Sequence, residues 1–466
     1  MEQDEFCYKD IETLCVDLPE DILKKKWYGD FDGAIRLIEE RVKRDIPEML
    51  RRRLLLEKEI LQALPVEYIY DREQALAVLQ KKVPDFTEEE FQDLQEKGKI
   101  DWIYVKGKER YHNDFADTLL VANKEIRKRA AVLDPSLNEI SQAKAALLEV
   151  IRELREQKHL DWYTRIRASV KISEEAFQKG HVKVHIPVPC FCQQVQHIHI
   201  LNTSSPDYIL ADESAPQRTI CFEEDMEQNH EFFVEYEYRN SVHYVEVDQE
   251  QVQPIDEELF EADLCEKLPH IRFTPYLRAL AAELTAGIRS PYAKAQRIYD
   301  YITTHIEYSY VRNYLSIENL PEYAALGGRG DCGIQALLFI TLCRIAGVPA
   351  RWQSGLYSTP YSAGFHDWAQ FYVEPYGWLF ADCSFGGSAN RDGDEARRQF
   401  YFGNIDPFRM PANSAFQEEF IPRKNFLRVD PYDNQGGEVE YADRGLRIGE
   451  FESIRTVLES HREVKK

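Results

Sequence analysis

The chain reads Gly327-Gly-Arg-Gly-Asp-Cys332-Gly-Ile-Gln-Ala-Leu-Leu-Phe-Ile-Thr-Leu-Cys-Arg-Ile-Ala-Gly347-Val-Pro349, a glycine-rich turn that leads into an apolar run. The run is apolar on nearly every face, and Gly347 with Pro349 marks its end. This pattern predicts a buried central helix with Cys332 at its N-terminus. The free N–H groups and the dipole at a helix start favour a thiolate over a thiol there.

Two alternating segments follow this predicted helix. They read Phe365-His366-Asp-Trp-Ala-Gln-Phe-Tyr-Val-Glu374 and Gly377-Trp-Leu-Phe-Ala-Asp382-Cys. The turn residues from Pro375 onward lie between them, which predicts a β-hairpin. A hairpin centred near Glu374 would set His366 and Asp382 opposite each other on one face. A turn centred on Tyr376 would instead offset them by about four residues, roughly 13 Å, and would require a bulge.

These residue types together indicate nucleophilic catalysis by a thiol. Asp382 would accept a hydrogen bond from one imidazole nitrogen of His366, and the other nitrogen would take the proton of Cys332 and return it to a leaving amine. The competing interpretations are a buried apolar thiol and a strand histidine satisfied by backbone. Asp367 rivals Asp382 by adjacency, but on an extended strand it should point away from His366.

The combined pattern resembles the transglutaminase-like superfamily. It consists of Gly-Asp-Cys332 opening a helix, His366-x-Trp368 on a strand, and Gly377-Trp378 followed by Asp382. The resemblance covers roughly residues 293–387, and the alternating stretch over residues 181–238 is similar to the strand module that often precedes such cores. It implies a papain-like core of a bacterial-type cysteine protease, with a central helix packed on an antiparallel sheet.

The resemblance also implies roles for particular residues. Cys332 would be the nucleophile, His366 the general base and then acid, and Asp382 the carboxylate that orients the ring. A side chain upstream of the nucleophile often completes the oxyanion hole in this family, and Tyr310 is the candidate here. The backbone N–H of Cys332 could serve as a second donor, and Gly330 and Trp368 are expected to line the oxyanion hole or the substrate wall.

Family resemblance leaves several activities open. Zinc-binding cysteine pairs typical of peptide N-glycanases and an acidic calcium loop typical of animal crosslinkers do not occur in this sequence. We therefore expect a cysteine peptidase or amidase that hydrolyses peptide or protein amides through a thioester on Cys332. The alternatives are protein-glutamine transamidation and a non-catalytic binding scaffold with a vestigial triad.

The whole chain is expected to form an α+β protein with four parts. The expected parts are an N-terminal helical domain (1–175), a small antiparallel β module (176–250), the transglutaminase-like core (251–390) and a loop-rich C-terminal extension that packs on the core (391–466). Two turn-rich segments of the extension, 403–411 and 430–438, are expected to be ordered loops. The alternative for both is a lid or substrate wall near Cys332.

Charge and cysteine usage restrict the partners. The chain has 58 Lys and Arg against 81 Asp and Glu, a formal net charge of -23, which disfavours nucleic acid and anionic membranes and leaves peptides or proteins as substrates. Nine scattered cysteines, with no secretory signal and no membrane span apparent, indicate reduced thiols and a cytoplasmic protein. Neither a cofactor nor a metal is expected, because the pairs His181/His185 and His197/His199 lack a third ligand. The oligomeric state stays open.

Overall fold

The structure is a computed structural model that describes residues 8–138 and 140–463. Helices dominate its first part, as the sequence predicts. They are α1 (Glu20–Tyr28), α2 (Phe31–Val42), α3 (Glu48–Glu67), α4 (Arg72–Lys82), α5 (Glu88–Glu96), α6 (Phe115–Ala122), α7 (Lys124–Ala130) and α8 (Gln142–Gln157), with the hairpin β1 (Trp102–Val105) and β2 (Lys108–Tyr111) between α5 and α6. Side-chain caps begin several of them; Thr87 and Glu90, for example, form a capping box on α5.

The helical prediction is wrong for the last residues of this part. The strand β3 (His159–Ile172) follows α8 directly and pairs with a later strand of the β module. Its buried side chains alternate with outward charges, and outward Arg165 forms an ion pair with Glu235 at 2.9 Å. The charges that resemble a solvated helix face therefore lie on the outer face of a sheet, because strand side chains alternate between two faces.

The β module consists of two four-stranded antiparallel sheets with an apolar core between them. Its next strands are β4 (Gly180–Pro187), β5 (Val195–Thr203), β6 (Ile209–Leu210), β7 (Thr219–Met226) and β8 (Glu231–His243). These strands confirm the alternating pattern predicted for residues 181–238.

A five-stranded sheet and a central helix form the core that follows. Its elements are α9 (Glu261–Leu264), α10 (Pro275–Leu284), α11 (Pro291–His305), β9 (Glu307–Tyr308), α12 (Leu320–Gly327), β10 (Arg329–Gly330), α13 (Cys332–Ile345), β11 (Ala350–Thr359), β12 (Ser362–Val373), β13 (Gly377–Ala381), α14 (Cys383–Asp392), α15 (Glu395–Phe400), β14 (Phe402–Gly403) and β15 (Arg409–Asn413). The sheet order is β14-β13-β12-β11-β15, all antiparallel. Every residue of α13 from Gly333 to Arg344 is buried, which confirms the predicted central helix.

The C-terminal residues do more than pack on this core. Strand β16 (Glu438–Tyr441) pairs with β4, and strand β17 (Phe451–Glu463) pairs with β3. Both sheets of the β module are therefore completed by the end of the chain. The prediction of a loop-rich extension misses these two strands, because nothing local in a strand sequence names its distant partner.

The apolar core joins the first and third parts of the chain. One continuous cluster contains residues of α1, α2, α3 and α8 together with those of α13 and its sheet, whereas α4 to α7 have a separate cluster. Among the described residues, no helix combines the length and the apolar character needed to cross a membrane.

Candidate active site

Cys332 is the first residue of α13, and the local sequence explains its position. The side chain of Asp331 caps the helix by accepting a hydrogen bond from the Ile334 N–H at 3.0 Å. The hydroxyl of Tyr314 also donates to Asp331. Residue Cys332 is partly exposed, whereas Gly333 to Arg344 are buried.

The sulfur of Cys332 is hydrogen-bonded to a carboxyl group that faces it from β12. The distance from Cys332 Sγ to Asp367 Oδ2 is 3.2 Å. Asp367 lies on the same face of β12 as Phe371, whose ring packs against Phe339 of α13 with centroids 5.7 Å apart. Burial, together with the charge of Asp367, raises the pKa of the Cys332 thiol well above its ordinary value, so the sulfur carries its proton in this arrangement.

His366 has a different set of neighbours. Its Nε2 is 2.8 Å from Oδ2 of Asp382, and both side chains are buried. Nowhere in residues 8–138 and 140–463 does a hydrogen bond join the His366 ring to Cys332. Adjacent residues of a strand point to opposite faces, so His366 stacks on Trp368 while Asp367 faces the helix.

The register of the hairpin lies between the two predicted alternatives. Val373 pairs with Gly377, so the turn is centred on Pro375, and the last pair is Ala369 with Ala381. Asp382 therefore continues opposite Trp368, two residues along from His366. Such diagonal neighbours on one face are within reach of long side chains, and the contact forms without a bulge.

Arg409 completes this buried group, and the sequence analysis missed it. One of its nitrogens, Nη2, is 3.0 Å from Oδ2 of Asp382 and 2.9 Å from Oδ2 of Asp406, and all three side chains are fully buried. Burial alone would raise the pKa of Asp382, but His366 and Arg409 together lower it below its ordinary value. Burial lowers the pKa of His366 below 6.5 despite Asp382. A cation inside the apolar stretch of β15 is the signal that could have found Arg409.

Asp367 is held by the turn-rich segment 430–438, called the C-terminal segment below. The side-chain amide of Gln435 donates to Asp367 Oδ1 at 2.5 Å and to the backbone carbonyl of His366 at 3.1 Å. The carboxyl group of Asp433 also shares a hydrogen bond with Asp367. Burial raises the pKa of Asp367 and of Asp433 to about 7.

The remaining predicted residues occupy distinct places. Gly330 is buried beside Ile334, and Tyr310 is 39% exposed with its ring edge-on to Tyr308. Neither position tests the predicted oxyanion role. Trp368 is fully buried, and its indole N–H donates to Gln353 at 2.8 Å. Its ring stacks on the His366 ring inside the core. The expectation that Trp368 lines the substrate wall is therefore wrong.

The two turn-rich segments of the extension reach the site from opposite sides of the sheet. Residues of 403–411 contribute Arg409 and its partner Asp406 to the His366 face, and residues of 430–438 contribute Asp433 and Gln435 to the Cys332 face. Most of these residues are buried, but residues 409–411 belong to β15 and Glu438 begins β16, so the expectation of ordered loops fails for those positions. Within the part of the chain that the structure describes, no cluster of three His, Cys, Asp or Glu side chains could hold a metal ion.

None of the curated proteins compared with the chain matches it. Solved structures similar to it include a candidate cysteine protease from Cytophaga hutchinsonii, 15% identical, which covers 66% of this chain and 90% of that one with a TM-score of 0.38. The periplasmic domain of TgpA from Pseudomonas aeruginosa is 15% identical and covers 53% of this chain and 95% of that domain with a TM-score of 0.29.

The sequence profile of the Transglutaminase-like superfamily matches residues 278–383. The matched range begins within α10 and ends at the first residue of α14. It contains Cys332 at the start of α13, as well as His366 and Asp382, which lie in contact. Residues 278–383 therefore form a core that is similar to the transglutaminase-like superfamily.

Proposed function

We propose that the chain transfers acyl groups from peptide or protein amides through a thioester on Cys332, and that hydrolysis is the main outcome. The observation that carries the proposal is the position of Cys332, a partly exposed residue at the N-terminus of a helix whose residues 333–344 are buried, inside the matched core. Hydrolysis ranks first because water is always available, whereas transamidation requires a site that excludes water and positions an amine.

The reaction uses the proposed residues in two stages. Cys332 loses its proton to His366, and the sulfur attacks the amide carbonyl carbon, forming a C–S bond while the carbonyl electron pair moves to oxygen. The imidazolium then gives this proton to the leaving nitrogen as the C–N bond breaks. Water or an amine, deprotonated by His366, attacks the thioester and releases the thiol.

One nitrogen of the His366 ring is already held by a hydrogen bond, which orients the ring for this proton transfer. Nε2 is fixed by Asp382, which Arg409 holds in turn. Nδ1 makes no hydrogen bond within the described part of the chain, so it is the nitrogen proposed to exchange the proton with sulfur. The sulfur must first leave Asp367, and because His366 and Asp367 leave opposite faces of β12, the reaction also requires β12 or the start of α13 to rearrange so that the sulfur reaches Nδ1.

The charge of the molecule favours particular substrates. A formal net charge of -23 repels polyanions and favours neutral or cationic peptides. We propose a reducing compartment such as the cytoplasm as its location, and the free thiols of the eight described cysteines support this proposal.

A second candidate function is a binding scaffold without catalysis. The observation that favours it is the hydrogen bond from Cys332 to Asp367, which leaves the sulfur protonated and out of contact with His366. A scaffold would retain the fold of the core while its thiol stays unreactive.

Incubation with a peptide library and a labelled primary amine tests these alternatives. Wild type is compared with Cys332→Ala and with the control Cys265→Ala, which removes an exposed thiol elsewhere. We expect peptide cleavage by wild type and by the control, and none by Cys332→Ala. Incorporation of the amine into peptides would establish transamidation instead. If wild type forms neither product, the binding scaffold would be favoured. Equal product from wild type and Cys332→Ala would reject the nucleophile.

A further inference from the structure

The strand residue next to His366 has a contact that the proposed reaction does not use. Asp367 Oδ2 accepts a hydrogen bond from Cys332 Sγ at 3.2 Å, although a thiolate beside this carboxylate would be repelled. The approach depends on Gly333, because a Cβ there would lie 2.8 Å from Asp367 Oδ2 and 2.4 Å from the Tyr314 hydroxyl. The absence of a side chain at Gly333 therefore leaves space for the Asp367 carboxyl group at the start of α13.

The C-terminal segment fixes Asp367 in this position. Gln435 donates to its other oxygen, Oδ1, at 2.5 Å, and Asp433 bonds to the same carboxyl group. The segment is itself anchored, since Arg455 donates to the Gln435 carbonyl at 3.1 Å and Arg428 donates to the Asp433 carbonyl at 2.7 Å. Arg455 of β17 and Arg428 therefore hold the segment whose side chains contact Asp367.

The titratable side chains around this contact are all acidic. They lie on β12, on the start of α13, on the segments before α12 and on the C-terminal segment, and they are Asp331, Asp367, Asp430, Asp433, Tyr308, Tyr310 and Tyr314. Each of these is anionic when ionised, and anions near a thiol stabilise its protonated form. The opposing influences are the dipole of α13 and a hydrogen bond from the backbone of Asp367, which lowers the pKa of the Cys332 thiol.

We propose that Asp367 is a positioning residue that keeps Cys332 as a neutral thiol in the resting protein, with Gln435 and Asp433 holding it against the sulfur. The inference rests on the proposed function of Cys332 as a nucleophile. In the resting state the S–H group donates to Asp367. Activation requires the hydrogen bond to Asp367 to break and the sulfur to come together with the His366 ring, which leaves the opposite face of β12. The S–H bond then breaks, its proton passes to His366 Nδ1, and the electron pair stays on sulfur.

The test measures alkylation of Cys332 by iodoacetamide as a function of pH, with the modified residue identified by mass spectrometry. Wild type is compared with Asp367→Asn, which removes the charge and keeps the shape. We expect the midpoint of the Cys332 profile to fall by at least about one pH unit in the variant. Its alkylation rate at neutral pH should rise about tenfold, since one unit in pKa changes the thiolate fraction tenfold.

Gln435→Ala provides a second variant should Asp367→Asn fail to fold. This variant removes the hydrogen bond from Gln435 to Asp367 and leaves the contacts of the sulfur in place. We expect the midpoint of the Cys332 alkylation profile to fall, by less than in Asp367→Asn. Asp225→Asn is the matched control, because Asp225 lies on β7 and its exposed carboxyl group contacts the exposed ring of His181 at 3.2 Å. Circular dichroism confirms that each variant is folded.

An unchanged midpoint in Asp367→Asn would overturn the inference, and a midpoint shifted upwards would overturn it in favour of Asp367 as the base that receives the proton. Peptide turnover distinguishes this failure from failure of the proposed function. Turnover through Cys332 with an unmoved midpoint rejects only the positioning role. A lowered midpoint without turnover in wild type supports the positioning role and rejects catalysis.

Discussion

His366 and Asp367 are adjacent in the chain, and each belongs to a different chemical environment. His366 contacts Asp382 and, through it, Arg409, whereas Asp367 contacts Cys332 and Gln435. The alternation of a strand explains the separation, since neighbouring side chains leave opposite faces of the sheet. The proposed acid–base pair and the proposed nucleophile therefore lie on two sides of one strand.

Asp382→Asn is expected to abolish most of the turnover while the chain still folds. The amide cannot hold His366 in the same tautomer, and it leaves Arg409 with Asp406 as its remaining anion. A loss of about 10⁴ in kcat is expected from the tautomer alone. Unfolding by denaturant should show a loss of about 3 kcal/mol, because a buried ion pair is broken from one side. Turnover equal to that of wild type would contradict the role of Asp382.

The position of helix α13, which carries the thiol, depends on packing as well as on the sequence of the helix. Helix α13 is enclosed by α10, α11, α12, α14 and the five-stranded sheet, so its apolar residues are buried on every side. Asp331 begins it with a side-chain cap, and Gly333 leaves room in the first turn for Tyr314 and Asp367. The position of the sulfur therefore depends on the first turn of one helix.

Gly333→Ala is expected to disturb this turn. The added methyl group would overlap the Tyr314 hydroxyl and the Asp367 carboxyl group, at a cost of about 1–3 kcal/mol in unfolding free energy. It should also displace Asp367 from the sulfur, which alkylation of Cys332 would report. Gly364→Ala is the matched control, because a Cβ at Gly364 meets no atom within 4 Å. Equal thermal stability of the two variants would contradict the argument.

The C-terminal strands connect distant parts of the chain across the whole molecule. Strands β16 and β17 complete the two sheets of the β module. Glu438 at the start of β16 forms a buried ion pair with Lys424 at 2.9 Å and accepts hydrogen bonds from the backbone of Val429 and Asp430. The end of the chain therefore positions the segment that contacts Asp367.

Removal of residues 438–466 is expected to destabilise the β module and to release the segment that carries Asp433 and Gln435. The edges of β3 and β4 would be exposed, and unpaired edges favour aggregation. Hydrogen exchange over residues 180–187 should become faster than in the full chain, and Cys332 alkylation should accelerate. Unchanged exchange over that range would show that β16 contributes no stability to its partner.

The sequence by itself determined the central helix with Cys332 at its start, the hairpin that carries His366 and Asp382, and the family of the core, because each is a local pattern of polarity, turns and spacing. It also determined four of the strands of the β module. Only the tertiary structure decided which carboxyl group faces the sulfur. It brought Arg409 to Asp382 and Gln435 to Asp367, and it joined β17 to β3 across almost 300 residues. These contacts depend on packing and pairing between distant segments, and neither leaves a mark in the local periodicity of the chain.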